Sequence, residues 1–214
     1  MPHTQYDSLI FDLDGTLWDS TQTIADAWNA ASAQFDFVDL TLTRQDIRNI
    51  AGMPYDAIYL KLFPSLNQEQ RQQLQKTAAR LELEYLQEKG GELYPQLQET
   101  LEMLQPKYKL FIVSNCQSGY IETFLQFFGL QPYFTDIACY GDQRLPKSEN
   151  IRSVVQRHHL QRPVYIGDTQ GDYSASEQAG VPFILARYGF GEVEAQVPGM
   201  ESLAELQGLV QAEK

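Results

Sequence analysis

The sequence predicts an α/β fold: a doubly wound parallel sheet that carries an inserted all-helical unit. Three observations lead to it. Short β-rich runs recur along the chain and are apolar on both faces, as strands of a helix-covered parallel sheet must be. From about Gly91 onward these runs alternate with segments of helical apolar spacing, which argues for right-handed crossovers. Between the first run and the rest, residues 18–90 contain several helical patterns and no convincing strand.

Taken in order, Tyr6–Leu13 reads as the first buried strand. The insertion then offers helices over Ser20–Gln34, Tyr55–Phe63 and Asn67–Glu88, with Pro64 separating the last two. Asn67 and Gln70 have the spacing of an N-cap and its capping-box partner. Leu74, Ala78, Leu81, Tyr85 and Leu86 form one apolar stripe, and the Gln-rich start of that helix is a solvated face. Further on, Leu97, Leu101 and Leu104 mark a helix over Gln96–Leu104, and Tyr108–Ser114 is the second strand. Ile121, Phe124, Leu125 and Phe128 mark Tyr120–Phe128 as helical, and Asp136–Tyr140 is a weaker strand. Ile151, Val154 and Val155 mark Glu149–His158, before the strand Pro163–Gly167. Thr169–Ala179 follows as a helix and Phe183–Ala186 as a last strand. The expected organisation is a core of residues 1–17 and 91–214 with residues 18–90 inserted.

Composition narrows the function. A chain of 214 residues suits one domain, or a core with a modest insertion, and buries roughly 70 % of its unfolded surface. With 43 % apolar residues and 12 Tyr, 11 Phe and 2 Trp, intrinsic disorder is excluded as the overall state. The formal charge of −12 disfavours nucleic acid and anionic membranes as partners. An anionic substrate would therefore need a local cation at its site. No apolar run approaches the 18 or so residues of a membrane span. Met1-Pro2-His3-Thr4-Gln5 lacks the basic and apolar parts of a signal peptide. Cys116 and Cys139 are no disulfide framework, so reduced thiols in a cytoplasmic monomer or homodimer are expected.

Four spots carry chemistry, each at the C-terminal end of an expected strand, the edge where open α/β sheets bind ligands. Asp12-Leu13-Asp14-Gly15-Thr16 places two carboxylates on one side of an extended chain. Ser114-Asn115 offers a hydroxyl and backbone N–H groups to a phosphoryl oxygen, or else a helix cap. Lys147 stands between Pro146 and a helix, either as a directed cation or as a solvated charge. Gly167-Asp168-Thr169-Gln170-Gly171-Asp172 adds two carboxylates that suit a hard divalent ion.

Together these residues resemble the haloacid dehalogenase superfamily of aspartate-nucleophile hydrolases. Asp12 to Thr16 match its first motif, Ser114 the second, Lys147 the third, and Asp168 with Asp172 the fourth. The likeness covers nearly the whole chain and looks closest to the phosphoglycolate-phosphatase-like subgroup, with a Rossmann-like core and a helical cap. The resemblance implies a Mg²⁺-dependent phosphatase of a small phosphorylated metabolite. By it, Asp12 is the nucleophile and Asp14 the acid and then the base. Ser114, Asn115 and Lys147 bind the phosphoryl group, and Asp12, the Asp14 carbonyl, Asp168 and Asp172 serve the metal. The physics agrees, since a carboxylate attacking a near-dianion needs positive charge beside it.

Related chemistries are weighed on single residues. Asp14 argues against dehalogenation, and the lack of any Lys before Lys61 argues against a phosphonatase Schiff base. A sugar-phosphate mutase would carry Lys and Arg where this chain reads Ala51-Gly52-Met53-Pro54-Tyr55, although Arg44 and Arg48 could substitute. A retired, purely binding protein would not be expected to keep every one of these residues. Arg44, Arg48, Met53 and Tyr55 are the candidates for substrate selection. Asp19-Ser20 is expected to cap the first inserted helix, with Asp19 at the cleft rim, and His158-His159 to end a helix. Cys116 reads as a packed thiol close enough to the site for oxidation to matter. Tyr188-Gly189-Phe190-Gly191 is either a site-lining or a solvent-covering loop.

Overall fold

The computed structural model describes residues 5–211. Met1–Thr4, where the leader reading begins, and residues 212–214 lie outside the described residues. The chain opens with β1 (Ser8–Phe11) and β2 (Trp18–Asp19), then α1 (Thr21–Ser32), α2 (Arg44–Arg48), α3 (Tyr55–Leu62) and α4 (Gln68–Lys89). It continues through β3 (Glu92–Leu93), α5 (Leu97–Leu104), β4 (Lys109–Ser114), α6 (Tyr120–Phe128), β5 (Asp136–Cys139) and α7 (Tyr140–Gln143). The remainder is α8 (Lys147–Arg157), β6 (Pro163–Gly167), α9 (Gln170–Ala179), β7 (Phe183–Ala186), β8 (Gly199–Met200) and α10 (Leu206–Val210).

Six strands form one parallel sheet in the order β5-β4-β1-β6-β7-β8. The order turns at β1, which has β4 on one side and β6 on the other. Phe11 stands opposite Ile112 and Ile166, so these three strands finish side by side. Strand alternation divides the core between the two faces. Leu9, Phe11, Ile112 and Ile166 join one cluster, and Ile10, Phe111, Val113 and Tyr165 join the other. The first cluster takes in α5, α6 and α10 and runs on into the inserted helices through Trp28, Tyr59 and Leu74. The second is closed by Ile151 and Val154 of α8 and Ala175 of α9.

The inserted segment departs from expectation at its neck. Trp18 pairs with Leu93 and Asp19 with Glu92 in an antiparallel ribbon, through which the chain leaves and re-enters the core. Two-residue strands are too short for a period-two pattern to register. Trp18 is fully buried there, edge-on to Tyr120 and Phe124 of α6. The α4 capping box forms as read, with Gln70 N donating to Asn67 Oδ1 and Asn67 N to Gln70 Oε1. Its buried face contains Glu82 rather than Tyr85.

Other differences are local. β1 is shorter than Tyr6–Leu13, because beyond Asp12 the chain folds back with Thr16 N and Leu17 N donating to Leu13 O. Tyr140 begins a helical turn instead of ending β5. α8 starts at Lys147, two residues earlier than its apolar pattern, with Pro146 as its N-cap. No helix among the described residues is long and apolar enough to cross a membrane. Ile112 sits mid-sheet and fully buried, so Ile112→Ala should lower the urea unfolding free energy by about 2–5 kcal/mol. Leu60→Ala, at a side chain 58 % exposed, should change it by less than about 0.5 kcal/mol.

Candidate active site

The ends of β4, β1 and β6 deliver the site. Asp12 follows β1 and stays registered by its N–H to Ile166 O, 2.8 Å. Asp168 follows β6, Ser114 ends β4, and both Asp12 and Asp168 are buried, at 2 % and 0 % exposure. One carboxylate oxygen from each of Asp12, Asp168 and Asp172 lies within 4.8 Å of the others. Lys147, in the first turn of α8, is 4 % exposed and donates to Asp12 Oδ1 at 2.9 Å and Asp172 Oδ1 at 2.5 Å. It is thus no solvated charge.

Asp172 has a second task. Its Oδ2 accepts from Thr169 N (3.0 Å) and Thr169 Oγ1 (2.7 Å), closing the capping box of α9. Asp168 Oδ2 accepts from Phe190 N at 2.7 Å, which makes the loop after β7 a wall of the site. Gly15 and Gly189 permit this closeness. A Cβ on Gly15, whose φ is +81°, would stand 2.1 Å from Asp168 Oδ2, and one on Gly189 2.5 Å from it.

Charge is badly balanced in this cluster. Burial, then Asp172, push the Asp12 carboxyl up to about 7, against the opposing pull of Lys147. Asp168 is raised too, by burial first and then by Asp172 and Asp12. Burial alone would lower the Lys147 ammonium, yet Asp12 and Asp172 more than offset it and the net shift is upward. Three carboxylates against one ammonium leave two negative charges, which one hard divalent cation would cancel. The donor set therefore fits Mg²⁺. Asp14 is not among the three carboxylates.

Asp14 is half-buried and held from the inserted segment instead. Its Oδ1 accepts from Ser20 Oγ (2.7 Å) and Tyr120 OH (2.8 Å), and these two hydroxyls are themselves 2.8 Å apart. Burial raises its pKa, and the Ser20 and Tyr120 bonds oppose the rise without cancelling it. The sequence marks Ser20 only as part of a helix cap and Tyr120 only as the start of a helix. Ser20 stands at the N-cap of α1 but bonds Asp14, while Asp19 Oδ1 accepts from Thr21 N.

Asp19 is correspondingly not at the rim. It is 6 % exposed and paired with Arg44 (2.7 Å) and Arg48. Burial works against its charge, but bonds from Thr21, Arg48 and Arg44 prevail and hold it down at about 2. Neither arginine lines the cavity in front of Asp12 and Asp14, whereas Met53 and Tyr55 do. Ser114 lines that cavity as well. Asn115 lines it and ties the inserted segment to the core, its Nδ2 donating to Gly52 O at 2.8 Å. Phe190 is a lining residue, which decides the reading of its loop in favour of the site. Cys116 and Cys139 are free thiols, and burial holds Cys116 well above its ordinary pKa, so its thiolate is disfavoured. His158 caps α8 and meets Asp136 at 2.7 Å.

Comparisons with known proteins show the family and the fold. The family model of haloacid dehalogenase-like hydrolases matches residues 9–186. A phosphoglycolate phosphatase of Vibrio vulnificus (strain YJ016) is 30 % identical, covering 94 % of this chain and 95 % of its own. One from Aquifex aeolicus is 26 % identical, covering 89 % of each. The crystal structure of a predicted phosphoglycolate phosphatase from Haemophilus somnus 129PT superposes with TM-score 0.81 at 22 % identity, over 97 % of this chain and 99 % of that one. CbbY of Rhodobacter sphaeroides, crystallised with xylulose-(1,5)bisphosphate, gives 0.81 at 16 % identity over 97 % and 100 %.

Replacing Lys147 by Met should cost about 3–5 kcal/mol of stability at pH 7, since it strands buried carboxylates. Adding Asp172→Asn to that variant should restore part of the loss, measurable as a double-mutant cycle in urea.

Proposed function

Because the chain belongs to the haloacid dehalogenase-like hydrolases and is a phosphoric monoester hydrolase, we propose that it is a Mg²⁺-dependent phosphatase working through an aspartyl-phosphate. Its substrate is a small phosphomonoester. One observation carries this reading: a buried aspartate, oriented by a buried lysine 2.9 Å away, faces the same cavity as a second, hydroxyl-held aspartate two residues on.

Asp12 attacks phosphorus through its carboxylate, forming the new O–P bond as the P–O bond to the alcohol breaks. Lys147 fixes the rotamer of Asp12 through the bond to Oδ1 and adds positive charge where charge develops. Asp14 gives its proton to the departing alkoxide, a role that its raised pKa suits. Ser20 and Tyr120 hold its carboxyl in place. In the second half, Asp14 takes a proton from the incoming water, which cleaves the acyl-phosphate and frees Asp12. In this reading Ser114, at the tip of β4, and Asn115 beside it bind the phosphoryl oxygens, and both line the cavity. Asp12, Asp168 and Asp172, with the Asp14 carbonyl, are the groups that would hold Mg²⁺. When bound, the ion supplies charge neutralisation and Lewis-acid polarisation of the phosphoryl group. Residues 18–90 serve as the cap that keeps bulk water from the first half-reaction.

The wall that includes Ala51, Gly52 and Met53 presents no basic side chain among the described residues, so nothing favours the mutase alternative. A phosphomonoester panel assayed with Mg²⁺ tests the reading. Asp12→Asn should lower kcat by about 10³-fold or more, and chelation should abolish turnover. Rapid quenching and peptide mapping should find the phosphoryl group on Asp12. A folded wild type that releases phosphate from no ester would refute it.

A further inference from the structure

Building on the phosphatase reading, we propose that the alcohol portion of the substrate carries a hydrogen-bond donor, an ammonium or hydroxyl group, received by Glu82, and carries no carboxylate. Glu82 is the specificity-determining residue of this pocket.

The cavity in front of Asp14 is mainly apolar where the inserted helices bound it. Ile24, Trp28, Ile47, Ile50 and Ile58 contribute side chains, and Glu82 of α4 is the one carboxyl that the segment presents there. Among the described residues, no Lys, Arg or His lines this cavity. Glu82 is only 3 % exposed and is held at both oxygens. Trp28 Nε1 donates to Oε2 at 2.5 Å and Gln117 Nε2 to Oε1 at 2.9 Å. Both partners are N–H groups, which donate and cannot accept, so Glu82 is set as an acceptor. A carboxylate has about four lone-pair sites, so further donors can be taken from the cavity side. Consistent with a carboxylate that has no cation beside it, burial raises the Glu82 pKa to about 7. The Gln117 and Trp28 bonds oppose that rise, and Asp14 adds to it.

Such a wall selects by charge. A carboxylate on the leaving group would meet Glu82 and Asp14 in a buried space with no cation lining it, a costly arrangement. The two arginines of the inserted segment considered for a carboxylate clamp both spend a guanidinium N–H on Asp19. Arg44 bonds Asp19 at 2.7 Å and Glu92 at 3.1 Å, and Arg48 bonds Asp19 and lies 5.1 Å over the Phe190 ring. An ammonium or hydroxyl would instead complete the acceptor set of Glu82 while its carbon skeleton packed on Trp28 and the isoleucines. The substrate named for the 30 % identical relative, which bears a carboxylate two atoms from its ester oxygen, is therefore a poor fit here.

Four esters of similar size decide it: phosphoethanolamine, glycerol 1-phosphate, ethyl phosphate and 2-phosphoglycolate, with p-nitrophenyl phosphate as a general reporter. For the wild type with Mg²⁺, kcat/KM of the better of the first two should exceed that of 2-phosphoglycolate at least about tenfold. Glu82→Gln should reduce kcat/KM for that donor-bearing ester about tenfold more than for ethyl phosphate, chiefly through KM. Preference of the wild type for 2-phosphoglycolate would overturn the proposal, and needs no folded variant to read. Equal losses on all esters in Glu82→Gln would also overturn it, since they would show a merely structural carboxyl. So would an Arg48→Gln variant that selectively lost 2-phosphoglycolate turnover, because Arg48 Nε is buried without a partner. Phosphate release from none of the five, reporter included, would mark failure of the phosphatase reading itself, and the proposal would fall with it.

Discussion

Asp12, Asp168 and Asp172 crowd three carboxylate oxygens into a space 4.8 Å across, away from water, with Lys147 as the cation bonded among them. Left alone, like charges at this distance repel strongly and force protonation upward. The surrounding fold is arranged to tolerate that crowding. β4, β1 and β6 end in register and aim their tips at one point, where the sheet order turns. α8 starts early so that Lys147 enters from the side, and the β7 loop brings the Phe190 N–H to Asp168. Gly15 and Gly189 leave room that any side chain would fill. Two apolar layers pack behind this edge of the sheet.

The inserted helices do more than cover the sheet. Ser20, just before α1, grips Asp14, and Asn115 of the core grips Gly52 of the insertion. Trp18 in the two-stranded neck packs against α6, whose Tyr120 reaches the same Asp14 oxygen. The carboxyl of Asp14 and the junction between insertion and core are therefore held by the same few contacts. The cavity wall that this segment contributes is mostly apolar and carries one carboxyl, Glu82, and the same segment supplies the Ser20 hydroxyl that bonds Asp14.

Much of this was legible in the sequence because strand tips are where periodicity stops and chemistry begins. Asp12, Asp14, Ser114, Lys147, Asp168 and Asp172 all stood at such breaks, and the structure gathers them at one edge of the sheet. What could not be read were residues whose meaning lies in a distant partner. Glu82 sits in a polar helix and looks solvated until Trp28, 54 positions away in sequence, is found bonded to it. Tyr120 read only as the first residue of a helix, although its hydroxyl reaches Asp14. Arg44 and Arg48 read as substrate ligands because a sequence does not show that Asp19 is buried against them. The neck strands and β8, two residues each, fall below the length at which alternation carries information.

If charge crowding is what organises the site, the metal-free protein should have an unmet demand for one divalent cation. Isothermal titration of Mg²⁺ into the chelator-treated chain measures that demand directly, without substrate or turnover. One ion per chain in the wild type, lost in Asp168→Asn while the variant stays folded, is the result predicted. A wild type that takes up no divalent ion, or an Asp168→Asn variant that binds it equally well, would contradict the account.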